Sequence, residues 1–200
     1  MHMVTDTMND NEPDQSEMYH DPKWKDDSKR LCRFLRHKPN SITIDKYGWA
    51  SVNEIARRGI LPECRIRELA VASRFELSED GTRIRACHGH SFPVIYEPAT
   101  PPEILYHGTS ERGYAAILES GTILPMKRYR VHLSVHPEYA MEVGSRHGKH
   151  PVILIVDSGR MNRDGIEFCI SGDGVYLCES VPIEYVHLMD SDPVASTKHH

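Results

Sequence analysis

The fold of the first half of this chain depends on residues 74–88, which read RFELSEDGTRIRACH. Apolar residues alternate with polar ones on both sides of Asp80-Gly81, a pair typical of the tight turn in a β-hairpin. The stretch therefore predicts a hairpin. Because alternate side chains of a strand share a face, Arg83 and Arg85 are predicted to lie together on the face opposite the apolar residues.

Three short helices are predicted ahead of the hairpin. The first begins at Ser28 and ends before Pro39, because the residue that precedes a proline is disfavoured in helical geometry. Arg36 and His37 then lie in its last turn. The other two are predicted in GWASVNEIARRG (48–59) and LPECRIRELAVASR (61–74). Three helices and a hairpin are the order of a winged helix, often used on nucleic acid, although small helical domains with a hairpin also occur without that role.

Four prolines within FPVIYEPATPPE (92–103) mark the boundary between two lobes. Beyond it, short apolar or alternating runs predict strands, interrupted by helices at about 110–120 and 137–146. These runs are ILYHGTS, RVHLSV, PVILIVD, EFCIS and GVYLCE. The chain is therefore predicted to be α+β, with a winged-helix lobe over 28–97 and a mixed or antiparallel β lobe with flanking helices over 98–190.

Charge is distributed unevenly along the chain, although its net value is only −5. Residues 28–97 carry 13 Lys and Arg against 8 Asp and Glu, a net charge of +5, whereas residues 98–200 carry −4. A basic first lobe indicates an anionic partner, although Arg and Lys can also simply solvate helix faces. Residues 1–27 carry −6 and hardly any aliphatic side chain, so a flexible acidic tail is predicted there, and a C-terminal tail over 191–200.

Composition argues against several classes of protein. The hydrophobic content of 39% is enough for a buried core. No apolar run approaches the roughly 18 residues that span a bilayer, and the N-terminus lacks the apolar stretch of a signal peptide, so a cytoplasmic protein is expected. The five cysteines are odd in number and form no C-x-x-C pair, which favours reduced thiols over disulfides or a zinc site.

The sequence YHGTS, residues 106–110, carries a first set of candidate functional residues. It places His107 at the end of a predicted strand and Gly108 where the backbone could approach a ligand. The hydroxyls of Thr109 and Ser110 can then cap the following helix. An ordinary connection between a strand and a helix, without any functional role, would give the same pattern. No Rossmann or P-loop motif occurs, so a nucleotide would be bound without either of those cradles.

A second set follows in RYRVHLS, residues 128–134. Alternation along a strand predicts one face with four polar side chains: Arg128, Arg130, His132 and Ser134. Two arginines on such a face are hard to bury without an anion. Arg146 lies near the predicted end of a helix, where a solvated turn is the simpler explanation.

Taken together, these stretches resemble the RNA 2'-phosphotransferase family over residues 28–188. The matching stretches, in order, are LRHKP, GWASVNEI, RFELSEDGTRIRACHGHS, LYHGTS, RVHLS, VGSRHGKHPVILIVD and GVYLCESVPIEYV. The ordered run is far more specific than any one stretch. In that family the first lobe is a winged helix and the second is an NAD-binding lobe similar to ADP-ribosyltransferases, so the resemblance implies the same two lobes here.

The resemblance implies a two-step, NAD-dependent reaction on RNA that carries an internal 2'-phosphate. In the first step the phosphate attacks the nicotinamide-bearing ribose carbon of NAD, and nicotinamide leaves. In the second, the ribose 2''-hydroxyl attacks the phosphorus, which releases RNA with a free 2'-hydroxyl and ADP-ribose 1'',2''-cyclic phosphate. The family's conserved Arg-His-Arg-Arg set maps onto four residues: Arg36, His37, Arg85 and Arg128.

The three arginines would form one anion pocket between the lobes, since guanidinium groups bind phosphate in a fork and stabilise the charge that builds in transfer. His37 could donate to the phosphate or move a proton, and no metal is required when arginines neutralise the charge. The residues that the resemblance places at NAD, the consumed co-substrate, are His107, Gly108, Thr109, Ser110, His132, Ser134 and Arg146. The expected partner is an RNA with an internal 2'-phosphate, with tRNA as one candidate, and a monomer is expected.

The chain departs from the family pattern at His88, where Gln is usual, and at Arg130, where His or Tyr is more frequent. The role of His88 therefore stays open, and Arg130 could either supplement Arg128 or face solvent. Two other functions stay open on the sequence. One is an ADP-ribosyltransferase that acts on nucleic-acid ends or on protein, and the other is a non-catalytic winged-helix protein that binds nucleic acid.

Overall fold

The structure of this protein is a computed structural model, which describes residues 22–37, 40–72, 74–146 and 148–189. The predicted helix stop at Pro39 and the two predicted tails, apart from the last six residues of the first, lie outside the described residues. No helix within the described ranges is long and apolar enough to cross a membrane.

The described residues form helices and short strands in both halves of the chain. The helices are α1 (Pro22–His37), α2 (Val52–Arg57), α3 (Glu63–Leu69), α4 (Glu111–Ser120), α5 (Pro137–Ser145), α6 (Ser158–Arg163) and a 3-10 helix (Ile183–Tyr185). The strands are β1 (Ala50–Ser51), β2 (Phe75–Leu77), β3 (Arg83–Ala86), β4 (Glu97–Pro98), β5 (Leu105–Ser110), β6 (Thr122–Ile123), β7 (Val131–Leu133), β8 (Pro151–Val156), β9 (Cys169–Ile170), β10 (Tyr176–Cys178), β11 (Val181–Pro182) and β12 (Val186–Leu188). The paired strands are antiparallel, which confirms the α+β class, while the winged-helix and ADP-ribosyltransferase-like lobes stay predictions.

The predicted hairpin is present as β2 and β3. Phe75 pairs with Ala86, and both are buried. Asp80 fixes the turn, because its carboxylate accepts hydrogen bonds from the Thr82 amide at 3.0 Å and from the Ser78 hydroxyl at 2.6 Å. Strand β3 also pairs with β1, which completes a three-stranded sheet against the helices of the first half.

Helix α1 starts at Pro22, earlier than the predicted start at Ser28. The prediction of a flexible tail is wrong for its last six residues, because Trp24 is only 2% exposed and belongs to the core of the first half. In addition, Asp27 accepts a hydrogen bond of 2.8 Å from Nε of Arg65, which ties α1 to α3. The acidic composition of residues 1–27 as a whole concealed these two contacts, which order the last six residues.

The second half contains two main sheets, with strand orders β4-β9-β10-β7 and β12-β8-β5. The helices predicted at 110–120 and 137–146 are confirmed as α4 and α5, and α5 packs across β5 and β8. Helix α6 was not predicted. The half has its own buried core, which includes Leu105, Leu133, Leu154, Val156, Met161 and Phe168.

The two halves meet along a seam that begins after β3. The amide of Tyr129 donates to the carbonyl oxygen of His90 at 2.8 Å, and the carboxylate of Asp173 lies 3.0 Å from Nε2 of His88. His88 and His90 belong to the first half, whereas Tyr129 and Asp173 belong to the second. The seam therefore brings the segment after β3 next to the loop before β7 and the loop between β9 and β10.

Candidate functional site

Residues 88–91, which read HGHS, anchor the C-terminal end of α1 at the seam. The amide and the hydroxyl of Ser91 both donate to the carbonyl oxygen of Arg36, at 2.9 and 3.2 Å. Gly89 has a φ of 89°, and a Cβ there would lie 3.4 Å from Nε of Arg36, so the Arg36 side chain lies over this glycine. The loop therefore fixes both the backbone and the side chain of Arg36.

Cationic side chains from the two halves come together at the seam. The pKa of His37 is lowered by partial burial and then by the positive charges of Arg36 and Arg128. Although much of Arg128 is exposed, burial around its guanidinium lowers its pKa, and Arg36 and then Arg146 lower it further. Charges influence each other in this way only at short range. The structure therefore brings together three of the four predicted phosphate-site residues: Arg36, His37 and Arg128.

Among the described residues, no carboxylate compensates the charges of Arg36 and Arg128. Within the part of the chain that the structure describes, neither guanidinium makes a hydrogen bond or an ion pair, and Nε of Arg36 is buried. Arg146, by contrast, pairs with Glu142 one helical turn away. Neighbouring guanidinium groups repel each other, and an anion that accepts hydrogen bonds from both relieves that repulsion. The arrangement is therefore suited to binding an anion.

Arg85, the fourth predicted residue, is held in a different environment. Its Nε and Nη2 atoms donate to Oε2 of Glu76 at 2.8 and 2.7 Å, and its guanidinium lies 4.5 Å from the centre of the Trp49 ring. Arg83 lies over the same ring at 5.4 Å, which confirms that the two arginines share a face of the hairpin. Arg85 also lowers the pKa of His90, so it faces the seam with a charge that Glu76 already compensates.

Three histidines line the seam behind the arginines: His88 and His90 are buried, and His132 is half-buried with its Nε2 atom inaccessible to solvent. Burial lowers the pKa of His90 to about 3 and that of His132 to about 2, and it lowers the pKa of His88 despite the bond to Asp173. The rings of His88 and His132 meet edge to face, with centroids 5.0 Å apart. Nδ1 of His90 lies 2.8 Å from the hydroxyl of Tyr96. These histidines are therefore neutral at pH 7, and the positive charge of the site belongs to the arginines.

Several buried nitrogen atoms around the seam have no protein partner in the described structure. They are Nε of Arg36, Nε of Arg130, Nδ1 of His88, Nε2 of His90 and Nε2 of His132. Buried polar atoms are nearly always hydrogen-bonded, so such a group is typical of a binding site for a polar ligand. No three His, Cys, Asp or Glu side chains in the described ranges are arranged to hold a metal ion.

Gly108 allows a helix to pack closely against β5. A Cβ at this position would collide with the carbonyl group of Ala140 and would lie 3.0 Å from the amide nitrogen of Gly144. The missing side chain therefore lets α5 lie directly on β5. The contact of Gly108 with NAD stays a prediction. The sequence alone does not indicate this contact between α5 and β5, because the two elements are separated by more than twenty residues.

The other predicted NAD residues lie along β5, within and just beyond β7, and, for Arg146, at the C-terminal end of α5. His107 is half-buried, and its Nδ1 lies 3.2 Å from the carbonyl oxygen of His132. The hydroxyl of Ser110 accepts from the Gly113 amide at 3.2 Å, which confirms the predicted helix cap. The hydroxyl of Ser134 is buried and accepts from the amide of His136 at 3.0 Å. The hydroxyls of Ser110 and Ser134 are thus hydrogen-bonded to backbone amides. Thr109 is half-buried, and Arg146 is exposed.

The single strand face predicted over residues 128–134 is wrong. Strand β7 covers only Val131–Leu133, because the Arg128 amide donates to the carbonyl of Pro125 at 3.0 Å and Tyr129 pairs with the first half. Arg130 neither supplements Arg128 on a strand nor faces solvent fully. Its Nε is buried, and the side chain lines a small cavity together with His90, Tyr96, Tyr129 and His132.

Five residues at the seam were not predicted as site residues: Trp49, Glu76, His90, Tyr96 and Asp173. His90 was open to detection, because the stretch that contains it matched the family. Glu76 lies directly opposite Arg85 on the hairpin, so cross-strand pairing could have indicated their ion pair. Asp173 gave no local signal, since its partner His88 belongs to the other half.

Acid should destabilise the folded protein through these three histidines: His88, His90 and His132. Their pKa values are lower in the folded state than the unfolded value of about 6.5, so the unfolded state binds more protons below that pH. The contribution to stability is therefore complete above about pH 7 and is lost as the pH falls. We expect His90 and His132 each to reduce the free energy of unfolding by about 1 kcal/mol at pH 5.5, and His88 to act in the same direction, as measured by urea unfolding followed by circular dichroism.

A His132→Asn variant provides the check on this expectation. The difference in its unfolding free energy between pH 7.5 and pH 5.5 should be smaller by about 1 kcal/mol, because the residue at position 132 no longer titrates. An equal pH dependence in the variant and the wild type would show that other groups are responsible.

Comparison with known proteins identifies the family. The sequence profile of the RNA 2'-phosphotransferase, Tpt1 / KptA family matches residues 23–180. Relatives named "Probable RNA 2'-phosphotransferase" include one from Burkholderia lata, 43% identical over 82% of this chain and 90% of its own length. Another, from Acaryochloris marina, is 41% identical over 82% of this chain and 97% of its own. Since both the profile and the relatives span most of the sequence, this chain belongs to the RNA 2'-phosphotransferase, Tpt1 / KptA family.

Proposed function

We propose that this protein removes an internal 2'-phosphate from RNA in an NAD-dependent reaction of two steps. The phosphate is first ADP-ribosylated with release of nicotinamide. Transesterification then yields RNA with a 2'-hydroxyl and ADP-ribose 1'',2''-cyclic phosphate. Membership of the family and the names of the relatives support phosphotransfer from RNA. We assign RNA binding to the first half, whose net charge is +5.

The observation that carries the proposal is the pair of free guanidinium groups at the seam. Arg36 comes from the first half and Arg128 from the second, and within the described residues neither is neutralised by a carboxylate. A phosphomonoester carries close to two negative charges, and guanidinium groups bind it with charge-assisted hydrogen bonds. A phosphate placed between the two groups would be held by both halves at once. Each chain contributes both walls of the site, so a monomer is sufficient.

Arg85 and His37 would complete the phosphate site. The guanidinium of Arg85 keeps one terminal nitrogen, Nη1, outside the bond to Glu76, with only a long contact of 3.4 Å to the carbonyl of Tyr47. It can therefore still donate to an anion. His37 is neutral at pH 7, because its pKa is lowered, and a neutral imidazole can accept a proton from an attacking hydroxyl and return it to a leaving oxygen.

The residues of the second half fit a dinucleotide. NAD, when bound, supplies the ADP-ribosyl group and nicotinamide as the leaving group. Half-buried His107 and Thr109 would contact it, since His107 lies against His132 at the edge of the seam. The unpartnered nitrogen atoms of His132 and Arg130 suit its hydroxyl and phosphate groups. Ser110 and Ser134, already bonded to backbone amides, would shape the site, and Arg146 would contribute positive charge at its rim.

One assay tests the proposal against both alternatives. The protein is incubated with a short RNA that bears an internal 2'-phosphate, with and without NAD. We expect dephosphorylated RNA, nicotinamide and the cyclic phosphate in equal amounts, and only with NAD. ADP-ribosyl transfer to RNA ends or to protein, without loss of the 2'-phosphate, would favour an ADP-ribosyltransferase. RNA binding without any turnover would favour a non-catalytic nucleic-acid-binding protein.

A further inference from the structure

One loop of the second half reaches across the seam and contacts the first half at two points. This loop lies between β9 and β10, covers residues 171–174 and reads SGDG. Its Asp173 accepts a hydrogen bond from the Ser171 hydroxyl at 2.5 Å, and its other carboxylate oxygen lies 3.0 Å from Nε2 of His88. We name residues 171–174 the bridging loop.

The first contact supports His132 through His88. His88 and Asp173 are both largely buried, with side chains 11% and 13% exposed. Because His88 is neutral, its Nε2 carries a proton that it donates to the Asp173 carboxylate, and this fixes both the tautomer and the ring plane. The edge of that ring then meets the ring of His132 with centroids 5.0 Å apart. Asp173 thereby sets the position of His132 through the ring of His88.

The second contact supports Arg85 through Glu76. A Cβ on Gly172 would lie 2.6 Å from Oε2 of Glu76, so the loop backbone lies directly against this oxygen. The same oxygen accepts both hydrogen bonds from Arg85. The bridging loop therefore packs against the same carboxylate oxygen through which Glu76 holds Arg85, so the position of the loop limits where that oxygen can lie.

We propose that the bridging loop is a positioning element that holds Arg85 of the first half and His132 of the second half in register, with Asp173 and His88 as its positioning residues. The inference rests on the proposed function, and it assigns a role to His88, one of the two positions at which this chain departs from the family pattern. A site divided between two halves needs such an element, because a displacement of about 1 Å in a catalytic group can lower the rate about 100-fold.

The pair is tested by a double-mutant cycle in the NAD-dependent dephosphorylation assay. Asp173→Ala and His88→Ala should each lower kcat about tenfold with little change in the KM for NAD, because orientation is lost rather than binding. The double variant should be no slower than either single variant, since the two residues act as one unit. Multiplied effects of about 100-fold in the double variant, or an unchanged kcat in the single variants, would overturn the proposal.

Two further variants separate positioning from stability. His88→Gln keeps a donor that can reach Asp173 and should retain most of the activity, unlike His88→Ala. Asp164→Ala is the matched control, because Asp164 is a carboxylate of the second half that bonds to Tyr185 at 2.8 Å, away from the seam. A loss of kcat in Asp164→Ala equal to that in Asp173→Ala would show that the effect is one of general stability.

Gly172→Ala tests the second contact of the bridging loop, the one with Glu76. The new methyl group would press on the end of the flexible Glu76 side chain, which can move at little cost to folding. We therefore expect an unchanged melting temperature but a kcat/KM for RNA at least fivefold lower, since Arg85 moves with Glu76. Wild-type kinetics in this variant would contradict the proposal that the loop positions Arg85 through Glu76.

Amide hydrogen exchange provides a readout that does not depend on turnover. In Asp173→Ala the amides of residues 88–91 should exchange about tenfold faster than in the wild type, whereas in Asp164→Ala they should not. If the wild type shows no NAD-dependent reaction, the proposed function fails, and this measurement still decides whether the loop holds the seam. Unchanged exchange in Asp173→Ala would overturn the positioning role whatever the activity.

Discussion

The Arg128→Ala variant is expected to lower kcat/KM for NAD-dependent dephosphorylation of RNA by about 100- to 1000-fold. Removal of one preorganised donor from a site of developing charge has an effect of this size. The guanidinium of Arg128 makes no protein hydrogen bond or ion pair within the described residues, so its loss should leave the fold intact. Steady-state kinetics with a 2'-phosphorylated RNA measure the effect, and unchanged circular dichroism verifies the fold.

The step at which Arg128 acts can be read from the products. If it acts mainly in transesterification, ADP-ribosylated RNA should accumulate in the variant. Arg163→Ala is the matched control, because it removes an exposed arginine of the same half whose partner is exposed Glu103, at 2.8 Å. Comparable losses in the two arginine variants would argue against a specific role for Arg128.

Gly108→Ala is expected to lower the free energy of unfolding by about 4 kcal/mol, more than the usual cost of overpacking. The new Cβ would collide with the Ala140 carbonyl. Strand β5 is held by its backbone pairing with β8, and α5 could move away only by losing its packing against both strands. For a protein of this size the melting temperature should fall by about 8 to 16 °C in thermal unfolding.

Gly121→Ala is the control for this substitution. Gly121 ends α4 with a φ of 71°, and nothing lies within 4 Å of its absent Cβ, so the change introduces backbone strain without a collision. A cost of about 1 kcal/mol is expected there. Equal destabilisation in the two variants would mean that the contact between α5 and β5 does not limit the residue at position 108.

Elements with local signals could be predicted from the sequence. The hairpin has its own turn in Asp80-Gly81, α4 has its cap in Ser110, and α5 begins at Pro137, a residue typical of a first helical turn. Each of these signals acts over a few neighbouring residues. For that reason these signals predict their elements correctly whatever the tertiary contacts of the rest of the chain.

Features that depend on contacts between distant residues could not be predicted in the same way. Trp24 is ordered only because a core exists for it to enter, so the start of α1 was placed too late. Strand β7 is shortened by the bond between Tyr129 and His90, which no periodicity reports. The site shows the same limit, since family motifs indicated Arg36 and Arg128 while the support from Asp173 became visible only in three dimensions.

The placement of the two tryptophans has a practical consequence for binding studies. Trp24 lies in the core of the first half, where solvent quenchers have little access to it. Trp49 is half-buried beneath the guanidinium groups of Arg83 and Arg85. An anion that draws Arg85 away from the indole would alter the emission of Trp49 and leave that of Trp24 unchanged. The intrinsic fluorescence of the unlabelled chain should therefore serve as a titration signal for phosphate at the seam.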